Sequence, residues 1–233
     1  MMDLSVVMVI PVLNEEQSLR QYITKFKALE KDCSIMFCDG GSDDETCALL
    51  QNHDLNYCHS LRGRALQMNA GAAACKKTMK SDILAFIHAD THISSSDIEL
   101  IKRTMQDSSV VGGRFDVRLS GNSSAFRVIE FMINLRSRIS GISTGDQCQF
   151  VRRSVFEEMG GFPEQALMED VAFSKQLKRH GKIACLKNKV VTSSRRWEKH
   201  GIIKTVILMW KLRFLYWLGT SPEKLTEMYR NAR

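Results

Sequence analysis

Joints and cross-links are what this chain has least of. Its 233 residues hold three prolines and 14 glycines, and no stretch is rich in Pro, Gly or Ser, so nothing marks a linker between domains. There are seven cysteines, an odd number, and none forms a Cys-x-x-Cys pair. That argues against a disulfide framework or a zinc site and for reduced thiols in a cytosolic protein. No Gly-x-Gly-x-x-Gly fingerprint follows the first strand, which counts against a dehydrogenase, and no Gly-x-x-x-x-Gly-Lys-Ser/Thr phosphate loop appears either. The apolar N-terminus, Met1 to Ile10, lacks a basic leader and a small-residue cleavage site, so it reads as a strand rather than a signal peptide. No metal-binding finger and no alternation of aromatic and basic residues is present, and nucleic acid is not expected as a partner.

What is there is basic. A formal charge of +7 arises from 33 Lys and Arg against 26 Asp and Glu. Much of the excess follows Arg136: Arg136, Arg138, Arg152, Arg153, Lys175, Lys178, Arg179 and the run Arg195 to Lys199. This suits phosphates or anionic lipid. With 44% hydrophobic residues the chain can bury one substantial core.

Apolar runs of strand length alternate with helical patterns through the first hundred residues. Leu4 to Ile10 is closed by Pro11, and Asn14-Glu15-Glu16 opens a helix carrying Leu19, Ile23 and Phe26 on one face. Ser34 to Cys38 runs into Asp39-Gly40-Gly41-Ser42, where glycines let the backbone approach a ligand and Ser42 with Glu45 fits a capping box. Leu55 to Cys58 is a third strand, and Arg62-Gly63-Arg64 precedes a helix whose small residues, Ala70 to Ala74, permit close packing. Asp82 to Thr91 is an apolar run ending in His88-Ala89-Asp90, and Ser96 with Glu99 fits a second capping box. The alternation predicts an α/β fold, a doubly wound, mostly parallel sheet flanked by helices. In such sheets ligands bind beyond the carboxyl ends of the strands. Glu15, Asp39 and Asp90 all follow strands and should share that edge. Asp90 is placed to hold a divalent cation that also takes phosphate oxygens; by local sequence alone, His88 and Asp90 equally well end a strand and begin a turn. Arg64 reads either as a phosphate ligand or as a solvated helix start.

Beyond Val110 the order changes. Val110 to Leu119 predicts a strand, Ser123 to Ile139 an amphipathic helix, and Gly145 to Val151 a loop entering a strand. After a turn at Gly160 to Pro163, Met168-Glu169-Asp170 starts a helix with two acids in its first turn; a helix dipole favours them there, or one of them is a general base. We expect one domain over 1–198, with a nucleotide-binding half at 1–95 and an acceptor half at 110–198, followed by amphipathic helices over 199–233. In the last region Ile202 to Leu218 is apolar but interrupted by Lys204, Lys211 and Arg213, too short and too charged to span a bilayer. It reads as a helix packed on the domain or on a second copy, or as an interfacial helix on an anionic membrane. Ser221-Pro222-Glu223 begins a final short helix.

Taken together the motifs resemble the family 2 glycosyltransferases, and most closely the small bacterial radical-SAM/selenodomain-associated members. The resemblance covers nearly the whole chain, in order: Pro11 to Glu15, Asp39 to Thr46, Gly63-Arg64 with Asn69 and Gly71, His88 to Asp90, Gly145-Asp146-Gln147, and Glu169-Asp170. It implies a GT-A fold, a UDP- or GDP-linked sugar donor, a divalent metal, Mn or Mg, and inverting transfer. By position, Pro11, Asn14, Glu15, Asp39, Arg64 and Asp90 would line the nucleotide pocket. Asp90 matches the second acid of the family's Asp-x-Asp metal motif, while His88 stands where the first acid belongs and brings no negative charge. Asp170 matches the catalytic base, with Glu169 orienting it or assisting. Asp146 and Gln147 would serve the acceptor, as would Trp197, since Arg195-Arg196-Trp197 is similar to an Arg-Trp element that holds diphosphate and acceptor in processive members. The His88 departure leaves a second reading, a non-catalytic nucleotide-sugar-binding or scaffold protein of the same fold. The expected location is cytoplasmic, with peripheral contact on the inner face of the membrane or a homodimer through 202–218.

Overall fold

A computed structural model describes residues 3–231, apart from the side chains of Arg196 and His200. Met1 and Met2 of the predicted first strand, and the Arg196 side chain, lie outside the described residues.

The molecule is assembled around β1 (Val6–Val12), whose side chains alternate between two helical layers. Met8 and Ile10 join Leu19, Ile23 and Phe26 of α1 (Glu16–Leu29), Leu50 of α2 (Thr46–Asn52), and Ile98 and Ile101 of α4 (Ser95–Thr104). Val7 and Val9 face the other way, onto Ala65, Met68 and Ala72 of α3 (Arg64–Thr78). An apolar run without alternation is what a strand covered on both faces requires. Beside β1 lie β2 (Ser34–Asp39) and β4 (Ile83–Phe86), both parallel to it, with β3 (Tyr57–His59) parallel to β2. Pro11 is tolerated in this central strand because the β4 ladder ends at Val9 and Phe86, before an amide at position 11 is needed. Gly71 lets α3 close on β1: a Cβ there would lie 2.6 Å from Val9 Cγ1.

The eight-stranded sheet runs β3-β2-β1-β4-β7-β6-β8-β5. Its second half consists of β6 (Val110–Leu119), β7 (Gln149–Arg152) and β8 (Lys182–Thr192), with a two-residue β5 (Thr91–His92) at the edge. β7 is antiparallel to β4 and β6, whereas β6 and β8 are parallel. In a flat sheet β4 and β5 would be about 19 Å apart. The chain from Phe86 to Thr91 spans at most about 18 Å even fully extended, so the sheet curls. The result is a mixed α/β sheet flanked by helices, the GT-A fold.

Three local expectations are corrected. Ser42 does not cap α2; its hydroxyl donates to Asp39 Oδ1 at 2.6 Å, and Glu45 is the residue before the helix. The cap of α4 is Ser94 with Asp97, two residues before the predicted Ser96 and Glu99, because β5 keeps the backbone extended as far as Ser94. β5 and β8 were not expected as strands.

The remaining helices are α5 (Ser124–Ser140), α6 (Arg153–Glu158), α7 (Glu169–Leu177), α8 (Arg195–His200), α9 (Ile202–Trp217) and α10 (Pro222–Asn231). Leu212 of α9 and Leu225 of α10 are fully buried against Met168 and Val171 at the start of α7. The inner face of Ile202 to Leu218 thus packs on the domain, while Ile203, Ile207, Phe214 and Trp217 remain exposed. Among the described residues no helix is long and apolar enough to cross a membrane.

Candidate active site

The β1 and β2 ends are tied to each other before they meet any ligand. Asn14, in the left-handed region with φ of 53°, receives the Asp43 amide on Oδ1 at 3.0 Å, and its own amide donates to Ser42 Oγ at 2.9 Å. Asparagine is among the few residues that adopt this backbone readily. The Glu15 amide donates to Thr46 Oγ1 and the Glu16 amide to Asp44 Oδ2. Gln67, unremarked in the sequence, donates to the carbonyls of Val12 and Cys38 and locks the two strand tips. Asp39 is buried and accepts bonds from the Gly41 and Ser42 amides and the Ser42 hydroxyl. Burial works to raise its pKa, but these bonds and His59 prevail and hold it below the usual carboxylate range.

β5 carries the β4 end across the sheet. Thr91 pairs with Thr192 in the antiparallel β5 and β8 ladder, and their hydroxyls bond at 3.0 Å. The His88 to Asp90 turn is thereby brought beside the residues that follow β8. Arg195 there donates to Gln17 Oε1 at 2.8 Å and lies 4.0 Å from Glu15 Oε2. Burial, and then the charge of Asp90, raise the pKa of Glu15 against the opposing Ser18 hydrogen bond.

The acids of α7 complete the site. Met168, just before the helix, is buried in a left-handed conformation with φ of 65°, an uncommon backbone that tight surroundings must enforce. Asp170 Oδ2 accepts the Gly145 amide at 3.0 Å and Oδ1 the Val171 amide at 2.7 Å. Glu169 is only 3% exposed and lies 3.6 Å from Arg64 Nη1. Burial, then repulsion from Asp170, push its pKa up to about 7 despite Arg64. His88 lies against Gly145, where a Cβ would come within 2.5 Å of its Nε2.

A cavity of about 1000 Å³ opens over these groups. Its wall includes Glu15, Arg64, His88, Asp90, Asp146, Glu169, Asp170, Arg195 and Trp197, so most of the predicted residues converge. Pro11, Asn14 and Asp39 lie outside that lining, as does Gln147, which is fully buried and donates to the Phe115 carbonyl. Arg136 and Arg213 line the cavity as well, although in the sequence they read only as basic charge. On their helices they look like any solvated cation, and only the pairing of α5 with α9 reveals them.

The donor set suits a divalent cation: Asp90 is a hard oxygen ligand, and it raises the pKa of Glu15, a repulsion that a cation would relieve. A separate triad, Asp39, Cys47 and His59, has donor atoms within 4.8 Å of one another. It is a poorer candidate, since Asp39 is already taken up by amides and burial pushes the Cys47 thiol up to about 11.

Known structures share this architecture at low sequence identity. Mannosyltransferase PcManGT from Pyrobaculum calidifontis, in complex with GDP-Man and Mn2+, superposes with a TM-score of 0.67 at 14% identity over 97% of this chain and 69% of that one. S. aureus TarS 1-349 gives 0.63 at 16% identity over 88% of this chain, which spans 66% of TarS 1-349. Glucosyl-3-phosphoglycerate synthase from Mycobacterium tuberculosis, with Mn2+, UDP and glucosyl-3-phosphoglycerate, gives 0.57 at 17% identity, covering 80% of this chain and 71% of that one. These likenesses establish the fold. No curated protein matches in sequence. Residues 7–160, well over half of the chain, match the profile described as Glycosyl transferase family 2, and the chain belongs to that family.

Proposed function

We propose that the protein transfers a sugar from a UDP- or GDP-linked donor to an acceptor hydroxyl with inversion at the anomeric carbon, Asp170 acting as general base. The observation that carries this is the placement of Asp170: its two oxygens are oriented by the Gly145 and Val171 amides and it lines the cavity, while Glu169, which lines the same cavity, is more deeply buried and lies against Arg64. The donor class is supported by the structural relatives, solved with UDP, UDP-GlcNAc or GDP-Man, two of them with Mn2+.

In this reading Asp170 takes the acceptor proton as the acceptor oxygen bonds to the anomeric carbon and the bond to the diphosphate breaks. Glu169 holds Arg64, which with Arg195 stabilises the leaving diphosphate. Asp90 and His88 would hold a divalent cation, which supplies charge neutralisation at that diphosphate. Pro11, Asn14, Glu15 and Asp39 shape the nucleotide side; Asp146, Gln147 and Trp197 shape the acceptor side. We assign the nucleotide half to 1–95 and the acceptor half to 110–198, with 199–233 as C-terminal amphipathic helices. The motif order supports assignment to the radical-SAM/selenodomain-associated members. We place the protein in the cytoplasm, and the exposed apolar face of α9 supports peripheral membrane contact or a dimer through 202–218.

The test is Asp170→Asn. Donor turnover should fall by at least about 100-fold while UDP or GDP affinity stays as in the wild type. Near-normal turnover would eliminate Asp170 as base.

A further inference from the structure

Beyond Asp170 the cavity continues as a groove between α5 and α9. Their contact is direct: Ile129 and Ile133 share a cluster with Ile202 and Val206, and Arg136 and Arg213 are near enough to repel. Each helix presents one stripe to the groove at helical spacing. On α5 it is Val128, Met132, Arg136; on α9 it is Val206, Trp210, Arg213. Both stripes are apolar at one end and cationic at the other, and the cationic ends coincide, close to Asp146 and Asp170.

The cationic end lacks what a guanidinium needs. Among the described residues Arg136 Nε and Nη2 are both buried and have no hydrogen-bond partner, and a buried unpaired donor is costly. Burial and the neighbouring Arg213 push the Arg136 pKa down to about 10, against the pull of Asp146 and Asp170. An oxyanion bound there would satisfy both nitrogens and offset the repulsion between the arginines. The apolar end is under-covered in the same sense: Val128, Met132 and Trp210 are 63%, 43% and 61% exposed.

We propose that this groove is the acceptor site and that the acceptor is an anionic amphiphile. Its phosphate or carboxylate rests on Arg136 and Arg213, its apolar part lies between the Val128 and Met132 wall and the Val206 and Trp210 wall, and its hydroxyl is presented to Asp170. This rests on the transferase reading above and adds the chemical class of the acceptor.

Octyl phosphate, octanol and inorganic phosphate serve as probes on the full chain, with binding followed by calorimetry. Octyl phosphate should bind at least about ten-fold more tightly than either of the others, and Arg136→Gln and Arg213→Gln should each reduce that affinity by about ten-fold or more. Val206→Asp should weaken octyl phosphate but leave inorganic phosphate unchanged, a result that a purely ionic contact does not give. Melting temperatures confirm that the variants fold, and two arginine variants guard against the loss of one. Equal affinity for octyl phosphate and inorganic phosphate, equal affinity for octyl phosphate and octanol, or indifference to both arginine substitutions overturns the proposal. UDP and GDP titrated into the same wild-type sample separate the two readings: nucleotide binding without octyl phosphate binding defeats the acceptor class alone, and the converse defeats the donor reading alone.

Discussion

Glu169 and Asp170 are neighbours at the start of α7 that both line the cavity but are held differently, Glu169 deeply buried against Arg64 and Asp170 bonded to the Gly145 and Val171 amides. With Glu169 raised from 4.5 to about 7, the folded state holds a proton that the unfolded chain releases. Glu169 therefore favours the folded state fully below pH about 4.5, and that contribution is lost as pH rises towards 7. Glu169→Gln should remove this pH dependence, so the wild type loses stability relative to the variant between pH 5 and pH 8, by on the order of a few kcal/mol. Denaturant unfolding at the two pH values checks it; parallel curves would contradict it. At this scale the sequence was legible where a polar residue follows an apolar strand or opens a helix, as with Glu15, Asp90 and Asp170. It was silent on Arg136 and Gln67, whose roles depend on which element packs opposite them.

Element boundaries followed the sequence wherever burial and local chemistry agreed. Val110–Leu119 is found as read, and α9 ends one residue before the expected limit. The α4 cap was misplaced because Ser94, Ser95 and Ser96 all look like caps, and only the pairing of Thr91 and His92 with β8 decides among them. Ser94→Ala should cost about 1 kcal/mol in chemical denaturation, whereas Ser96→Ala should be nearly neutral; the reverse order would restore the cap to Ser96. β8 escaped notice for a related reason. Its 11 residues include Lys182, Lys187 and Lys189, and it is only partly buried, so its strand character comes from pairing with β6 rather than from an apolar pattern.

For the whole molecule, alternation of strand and helix was enough to predict the parallel β3-β2-β1-β4 half, but not the antiparallel β7 or the curl that brings β4 and β8 ends together. That curl places Asp90 beside Arg195 and Glu15 and makes one cavity from both halves of the chain. Calorimetric titration of UDP and GDP, each with Mn2+, Mg2+ or chelator, tests whether that cavity is a metal-dependent nucleotide-diphosphate site. One nucleotide should bind, metal should strengthen its binding by at least about ten-fold, and Asp90→Ala should abolish the metal dependence. Binding of neither nucleotide, or equal affinity with metal and with chelator, would contradict it.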